Sequence, residues 1–255
     1  MGKTFTERDM QLRTELLLGN ENLARIKGAK VLIFGLGGVG SWCAEALVRS
    51  GISHITLVDS DVVCVSNCNR QLMATSRTIG KVKVAALRER LLEINPQADI
   101  KALCMVYSKT TAASFHMEQY DFIIDAIDSL TPKADLILRA TSLPKSITFI
   151  SSMGAALRTD PFKIRKTEFW NVTGDPLAKA LRKKFKHQET FPARKFQCVY
   201  SEEKPMENMG KVNGTFAGDG WSSSKAQTNG SICHITAIFG MSIAGMVLNT
   251  LIQKD

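Results

Sequence analysis

Apolar residues in this chain fall in short unbroken blocks separated by stretches with helical spacing. Residues 31–34 (Val-Leu-Ile-Phe) run straight into glycines, and residues 55–58 form a second such block. Residues 100–106, 122–127 and 147–151 supply three more. Blocks this short, apolar without alternation, predict strands buried on both faces. Between them, residues 39–50 read as a helix. Residues 83–94 set Val84, Leu87, Leu91 and Ile94 on one helical face, and Asn95-Pro96 stops that run. A further helix is predicted over residues 14–23. Strands alternating with helices in this way predict a Rossmann-like, doubly wound α/β fold. Its sheet is mostly parallel with helices on both faces, and its ligand crevice lies beyond the carboxyl ends of the strands.

After Gly154 the alternation decays, and the fold is expected to finish in an antiparallel or loop extension. Residues 178–186 read as a short basic helix. Residues 203–230 are polar and turn-rich and read as a mobile loop over the site. Residues 232–252 carry no charge and are long and apolar enough to span a bilayer. His234, Thr236, Ser242, Asn249 and Thr250 interrupt that segment, and Gly240 and Gly245 suggest close helix packing. It is therefore read as a buried C-terminal helix (residues 231–253), and membrane association is not expected. The chain is read as one domain over residues 1–255, with residues 1–28 as an N-terminal helical arm.

Composition narrows the partners. Apolar residues make up 44% and charged residues 22%, values at which a chain of 255 residues folds as an ordinary globular protein. The net charge of +9 favours a polyanionic partner, although a generically basic surface would give the same number. The excess concentrates at Lys179, Arg182, Lys183, Lys184, Lys186, Arg194 and Lys195. That run is either a solvated face or a row of phosphate contacts, and Arg182, Lys183, Lys184 and Lys186 are the candidate nucleic-acid contacts. Six cysteines are scattered with no Cys-x-x-Cys pair, so no zinc is expected. The first residues lack the apolar run of a signal peptide, and a cytoplasmic protein with reduced thiols is the expectation.

The chemistry concentrates after the first strand. Gly35, Gly37, Gly38 and Gly40 follow a strand and open a helix, the setting in which backbone N–H groups approach phosphate. Asp59 ends the next strand, where a carboxylate accepts ribose hydroxyls. Alone, this pattern leans towards a nicotinamide-dependent oxidoreductase. The residues just downstream of Asp59 favour ATP cleavage instead. Asp61, Asn67, Asn69, Arg70 and Gln71 form a dense polar cluster on the crevice side. Arg70 and Lys83 can offset charge on phosphates, and the amides can fix their oxygens. Asp128, after the strand at residues 122–127, is placed to hold Mg²⁺ through one carboxylate while phosphates supply further ligands.

Together, Gly-x-Gly-Gly-x-Gly, Asp-x-Asp, Asn-x-Asn-Arg-Gln, Lys83 and Asp125-Ala126-Ile127-Asp128-Ser129 resemble the ubiquitin-activating-enzyme-like superfamily of HesA, MoeB and ThiF adenylating enzymes. The resemblance implies that Arg13 reaches the phosphates of a partner protomer, hence a homodimer. Residues 38–47, Asp175-Pro176-Leu177-Ala178-Lys179 and Cys198-Val199-Tyr200-Ser201 resemble the tRNA threonylcarbamoyladenosine dehydratase family within it. That implies a tRNA substrate, ATP with Mg²⁺, adenylation of a carboxylate, and ring closure by a neighbouring amide. A sulfur-transfer or cysteine-desulfurase-type partner stays open. So does the rival reading, activation of a ubiquitin-like sulfur carrier, which would call for paired zinc cysteines and a nucleophilic loop cysteine. In some relatives a cysteine stands in the late loop. Here Lys225 sits near that position, and Cys233 falls inside the helix, where it reads as a small buried hydrophobe.

Overall fold

The computed structural model describes residues 6–210 and 229–252. Its strands are β1 (Lys30–Phe34), β2 (His54–Val58), β3 (Asp99–Leu103), β4 (Phe122–Asp125), β5 (Thr148–Ser152), β6 (Ile164–Glu168) and β7 (Gln197–Ser201). They form one seven-stranded sheet in the order β3-β2-β1-β4-β5-β7-β6. Neighbours are parallel except β6, which runs antiparallel to β7. The winding reverses between β1 and β4, so a crevice opens beyond Phe34 and Asp125.

The apolar blocks are continuous because both sheet faces are covered. Along β1, Val31 and Ile33 join one core cluster with Leu47, Leu87 and Phe239, while Leu32 and Phe34 join another with Ile137 and Leu181. The first layer holds α1 (Glu7–Gly28), α2 (Gly40–Arg49), α3 (Lys83–Ile94) and α6 (Cys233–Ile252). The second holds α4 (Leu130–Ser142) and α5 (Pro176–His187).

Element limits differ from the periodic reading where polar residues do the shaping. The helix predicted over residues 14–23 spans Glu7–Gly28, because Thr6 and Asp9 form a reciprocal capping box that starts it earlier. It bends at Gly19, whose φ of 78° breaks the helical geometry. β6 and β7 were hidden in the region where the alternation decays. β6 is a charged, half-exposed edge strand with no apolar signature, and β7 (Gln-Cys-Val-Tyr-Ser) carries a single aliphatic residue. Their antiparallel pairing makes the expected C-terminal extension.

α6 buries Ile235, Phe239, Ile243, Val247 and Leu251 along one stripe, packing on α2 and α1. A Cβ at Gly240 would collide with the Val39 carbonyl and the Cys43 amide, so this glycine sets the helix contact. Gly245, expected to act likewise, faces open space, and only Gly240 has that role. The helix is long and apolar enough to cross a membrane, with mean hydropathy 1.9, while its buried stripe belongs to the protein core. Cys233 opens the helix and is only half-buried, more exposed than a core thiol. Of the loop expected at 203–230, residues 211–228, including Lys225, lie outside the described residues. Its described ends meet where the Gly230 N–H donates to Asn208 Oδ1 at 2.7 Å.

Candidate functional site

The site is built first from glycines. Gly35 adopts φ 87°, and a Cβ there would stand 2.7 Å from the Ala126 carbonyl oxygen, so the loop after β1 lies directly against the end of β4. A Cβ at Gly40 would overlap the Gly35 carbonyl, and one at Gly38 would meet Thr236 of α6 at 2.9 Å. Gly37 is different: the Gln71 amide, 3.9 Å away, is its nearest neighbour, leaving room for a ligand. Among the described residues no side chain caps α2 at Val39. The Ser41 backbone N–H donates to the Gly37 carbonyl at 3.2 Å, which leaves the other first-turn N–H groups to an anion. Ser41 braces the loop by donating to the Gly37 carbonyl at 2.7 Å and accepting the Leu72 N–H at 3.2 Å.

Asp59 stands at the end of β2. Its Oδ2 accepts the Leu36 N–H at 2.7 Å and its Oδ1 the Asp61 N–H at 2.9 Å. Burial pushes its carboxyl above the usual range, against the pull of Lys83 and of the two backbone donors. Each oxygen keeps acceptor capacity for a hydroxyl.

The chain then makes a folded excursion. An antiparallel bridge between Val62 and Val82 pins its two ends, bringing Lys83, in the first turn of α3, back to Asp61. The Lys83 ammonium is buried and pairs with Asp61 at 2.9 Å. Asn67 is buried and accepts the Cys64 N–H, which shapes the turn rather than presenting its oxygen outward. Asn69 donates to the Ser231 carbonyl at 2.8 Å, tying the excursion to the entry of α6. Arg70 Nη1 donates to the Ser66 carbonyl and to Asn69 Oδ1, and the Arg70 carbonyl accepts from Trp42. Gln71 is buried beside Gly37, and its Oε1 has no hydrogen-bond partner among the described residues. Such an orphaned acceptor fits a ligand that brings a donor.

Across the switch point, β4 ends in Asp125 and turns into α4. Asp128 is exposed on this turn and accepts from Ser129 Oγ at 3.3 Å. Among the described residues no three His, Cys, Asp or Glu side chains converge as a metal cage. A divalent cation here would be held by one carboxylate plus ligand oxygens, the manner in which Mg²⁺ binds phosphates.

Direct contacts thus link Gly35 with Gly40, Gly37 with Gln71, Asp59 with Leu36 and Asp61, and Asp61 with Lys83 beside the end of β1. Gly38 rests on Thr236, and Asp128 stands on the turn after β4. Asn67, Asn69 and Arg70 lie on the same excursion but bond to Cys64, Ser231 and Ser66. The structure does not gather the rest. Arg13 is exposed on α1, which packs on α6. The basic helix α5 lies on the opposite sheet layer. On it Lys183 and Lys186 are exposed, but Arg182 donates to the Phe169 and Val172 carbonyls and lies over the Phe169 ring. Arg182 therefore holds a turn, a different task from the phosphate contact expected of it. Arg194 similarly donates to the Pro144 and Ile147 carbonyls.

Two features escaped sequence reasoning. Asp175 caps α5 and pairs with buried Arg158 at 2.9 Å. Lys133 and Asp125 form an ion pair with no solvent exposure on either side chain. The available signal was a lysine on the apolar stripe Leu130, Ala134, Ile137 of α4.

The ThiF family model matches residues 8–255, nearly the whole chain. The chain belongs to the ThiF family. Among ThiF-family relatives, tRNA threonylcarbamoyladenosine dehydratase of Bacillus subtilis is 35% identical over 243 residues, covering 95% of this chain and 92% of the relative. The ThiF fold seen here is similar to crystal structures of E. coli tRNA N6-threonylcarbamoyladenosine dehydratase. Its complex with ATP has a TM-score of 0.82 at 30% identity, covering 99% of this chain and 98% of that one. Its complex with AMP has a TM-score of 0.83 at 31% identity with the same coverage.

Proposed function

We infer that this ThiF-family protein is an ATP-dependent tRNA threonylcarbamoyladenosine dehydratase. The carboxylate of the threonylcarbamoyl side chain attacks the α-phosphate of ATP, and pyrophosphate leaves. A neighbouring amide nitrogen of the same side chain then attacks the activated carbon, closing the ring and releasing AMP. No enzyme thioester is needed, because nucleophile and electrophile already share one side chain. The observation that carries this reading is a switch-point nucleotide crevice in a chain aligned with a dehydratase over 95% of its length.

The residues divide the work by their chemistry. Backbone N–H groups around Gly37 and the start of α2 bind phosphate oxygens. Asp59 accepts the ribose hydroxyls, and Gln71 supplies an acceptor beside them. Arg70 and Lys83 offset the charge that develops on the departing phosphates. Mg²⁺, when bound, neutralises phosphate charge, and Asp128 is the carboxylate that would hold it. Arg13 enters from a second copy, making the active form a homodimer. tRNA approaches over Lys183, Lys184 and Lys186. The six thiols, all free, suit the cytoplasm.

The decisive experiment incubates the protein with ATP, Mg²⁺ and tRNA carrying threonylcarbamoyladenosine, then reads the nucleosides by mass spectrometry. Loss of one water from the modified nucleoside, with AMP formed, is the expected result. AMP formation only with a ubiquitin-like sulfur carrier, and none with tRNA, would overturn it. Asp128→Ala should abolish pyrophosphate release while the thermal midpoint stays near that of the wild type, because an exposed carboxylate contributes little to the core.

A further inference from the structure

The buried pair Asp125–Lys133 lies immediately behind the turn that presents Asp128. Lys133 Nζ is 2.8 Å from Asp125 Oδ2, and both side chains are fully buried. A buried ion pair is a poor device for stability, since an apolar pair of similar volume serves a core as well or better. The remaining bonds of this pair show a local purpose. Asp125 Oδ1 accepts the Ile127 N–H at 3.1 Å, and Lys133 Nζ donates to the Ile127 carbonyl at 3.0 Å. Both polar groups of one peptide residue are therefore held by the two members of the pair. Ser151 of β5 donates to Asp125 Oδ2 at 2.7 Å and fixes the carboxylate from the other side. On its outer surface the same turn touches the phosphate loop, where the Ala126 carbonyl abuts Gly35.

We propose that Lys133, oriented by Asp125 and Ser151, is a positioning residue that clamps Ile127 and thereby sets Asp128 at the metal–phosphate end of the crevice. This rests on the reading of Asp128 as the Mg²⁺ carboxylate. Lys133 touches neither nucleotide nor metal and acts through the backbone of residues 126–128. Groups that orient a metal-binding carboxylate are worth on the order of 10–100-fold in metal affinity.

Removing Lys133 alone would strand the Asp125 charge in the core and destabilise the fold. The informative variant is the double substitution Asp125→Asn with Lys133→Met. It strands no charge and keeps volume. The introduced amide oxygen accepts the Ile127 N–H while its NH2 donates to the Ser151 hydroxyl oxygen, but the Ile127 carbonyl is released. The measurements are binding titrations of ATP against Mg²⁺ concentration, titrations of AMP without metal, and thermal melting. The Mg²⁺ concentration giving half-maximal ATP affinity should rise on the order of tenfold. AMP affinity and the thermal midpoint should stay near those of the wild type. Adding Asp128→Ala to the double variant should raise that Mg²⁺ concentration less than it does in the wild type, because both changes disable one unit. An unchanged Mg²⁺ dependence overturns the proposal, leaving the pair as packing. A parallel loss of AMP affinity and thermal midpoint also overturns it, since that is general loosening. Mg²⁺-independent ATP binding by the wild type removes the metal reading beneath it, and this is visible without any variant.

Discussion

Asp59 shows how one residue carries conflicting demands. Its place at the end of β2 buries the carboxyl, while its backbone donors and Lys83 favour the ionised form, and burial wins. The folded state thus holds the proton more tightly than the unfolded chain does. The associated stability is fully present below the unfolded pKa and is lost as pH rises through the folded value. Binding runs the other way, because the ionised carboxylate is the better acceptor for ribose hydroxyls. ATP affinity should therefore decline on acidification at a higher pH than an ordinary carboxylate would give, and Asp59→Asn should flatten that dependence. Calorimetric titration from about pH 8 to about pH 4.5 would read it, and a flat wild-type profile would remove Asp59 from ribose binding.

Among the elements, α6 supports the glycine loop from behind although it carries no Asp, Glu, Lys or Arg. It backs Gly38 through Thr236, receives Asn69 just before its first turn, and rests on α2 through Gly240. Its two inner glycines are in different surroundings, which makes a paired test. Gly240→Ala drives a methyl into α2 backbone and should cost about 1–3 kcal/mol. Gly245→Ala meets nothing within 4 Å and should stabilise the helix by about 0.5–1 kcal/mol. Urea unfolding of both variants checks this, and equal effects would mean that α6 is not seated by Gly240. Crowding at α2 should also weaken ATP binding, since α2 begins at the phosphate loop.

At the scale of the molecule, two surfaces extend beyond the crevice. On α1, Arg13 lies among Leu12, Leu16 and Leu17, which are 50%, 77% and 81% exposed. Such an exposed apolar row around Arg13 fits the proposed second copy of the chain. Arg13→Ala and Arg70→Ala proteins should each be nearly inactive, and mixing them should restore part of the activity by rebuilding one complete site. No recovery after demonstrated subunit exchange would exclude sharing across the interface. On α5, the buried stripe Ala178, Leu181, Phe185 turns Lys183 and Lys186 outward. Neutralising Lys183, Lys184 and Lys186 should weaken tRNA binding and lower its logarithmic salt slope by roughly 0.7–0.9 per lost contact. ATP affinity should hold, since α5 lies on the other sheet layer. Arg182→Ala should instead lower the thermal midpoint, because its guanidinium holds the Phe169 and Val172 carbonyls.

Residues 31–34, 55–58 and 122–127 announced the parallel sheet because strands buried on both faces need uninterrupted apolar runs. The glycines at 35, 37, 38 and 40, and the polar cluster from Asp59 to Lys83, announced the crevice because phosphate approach and charge neutralisation demand those residue types close together in the chain. Sequence alone determined that much, since each signal is local. Tertiary structure decided what depends on contacts between distant segments. It sent Arg182 and Arg194 to carbonyls, and it left Arg13 exposed on α1. It seated Gly240 but not Gly245, paired β6 with β7, and buried Lys133 against Asp125. A lysine, an arginine or a glycine carries no mark of its partner, and only the packing of the sheet's two layers supplies one.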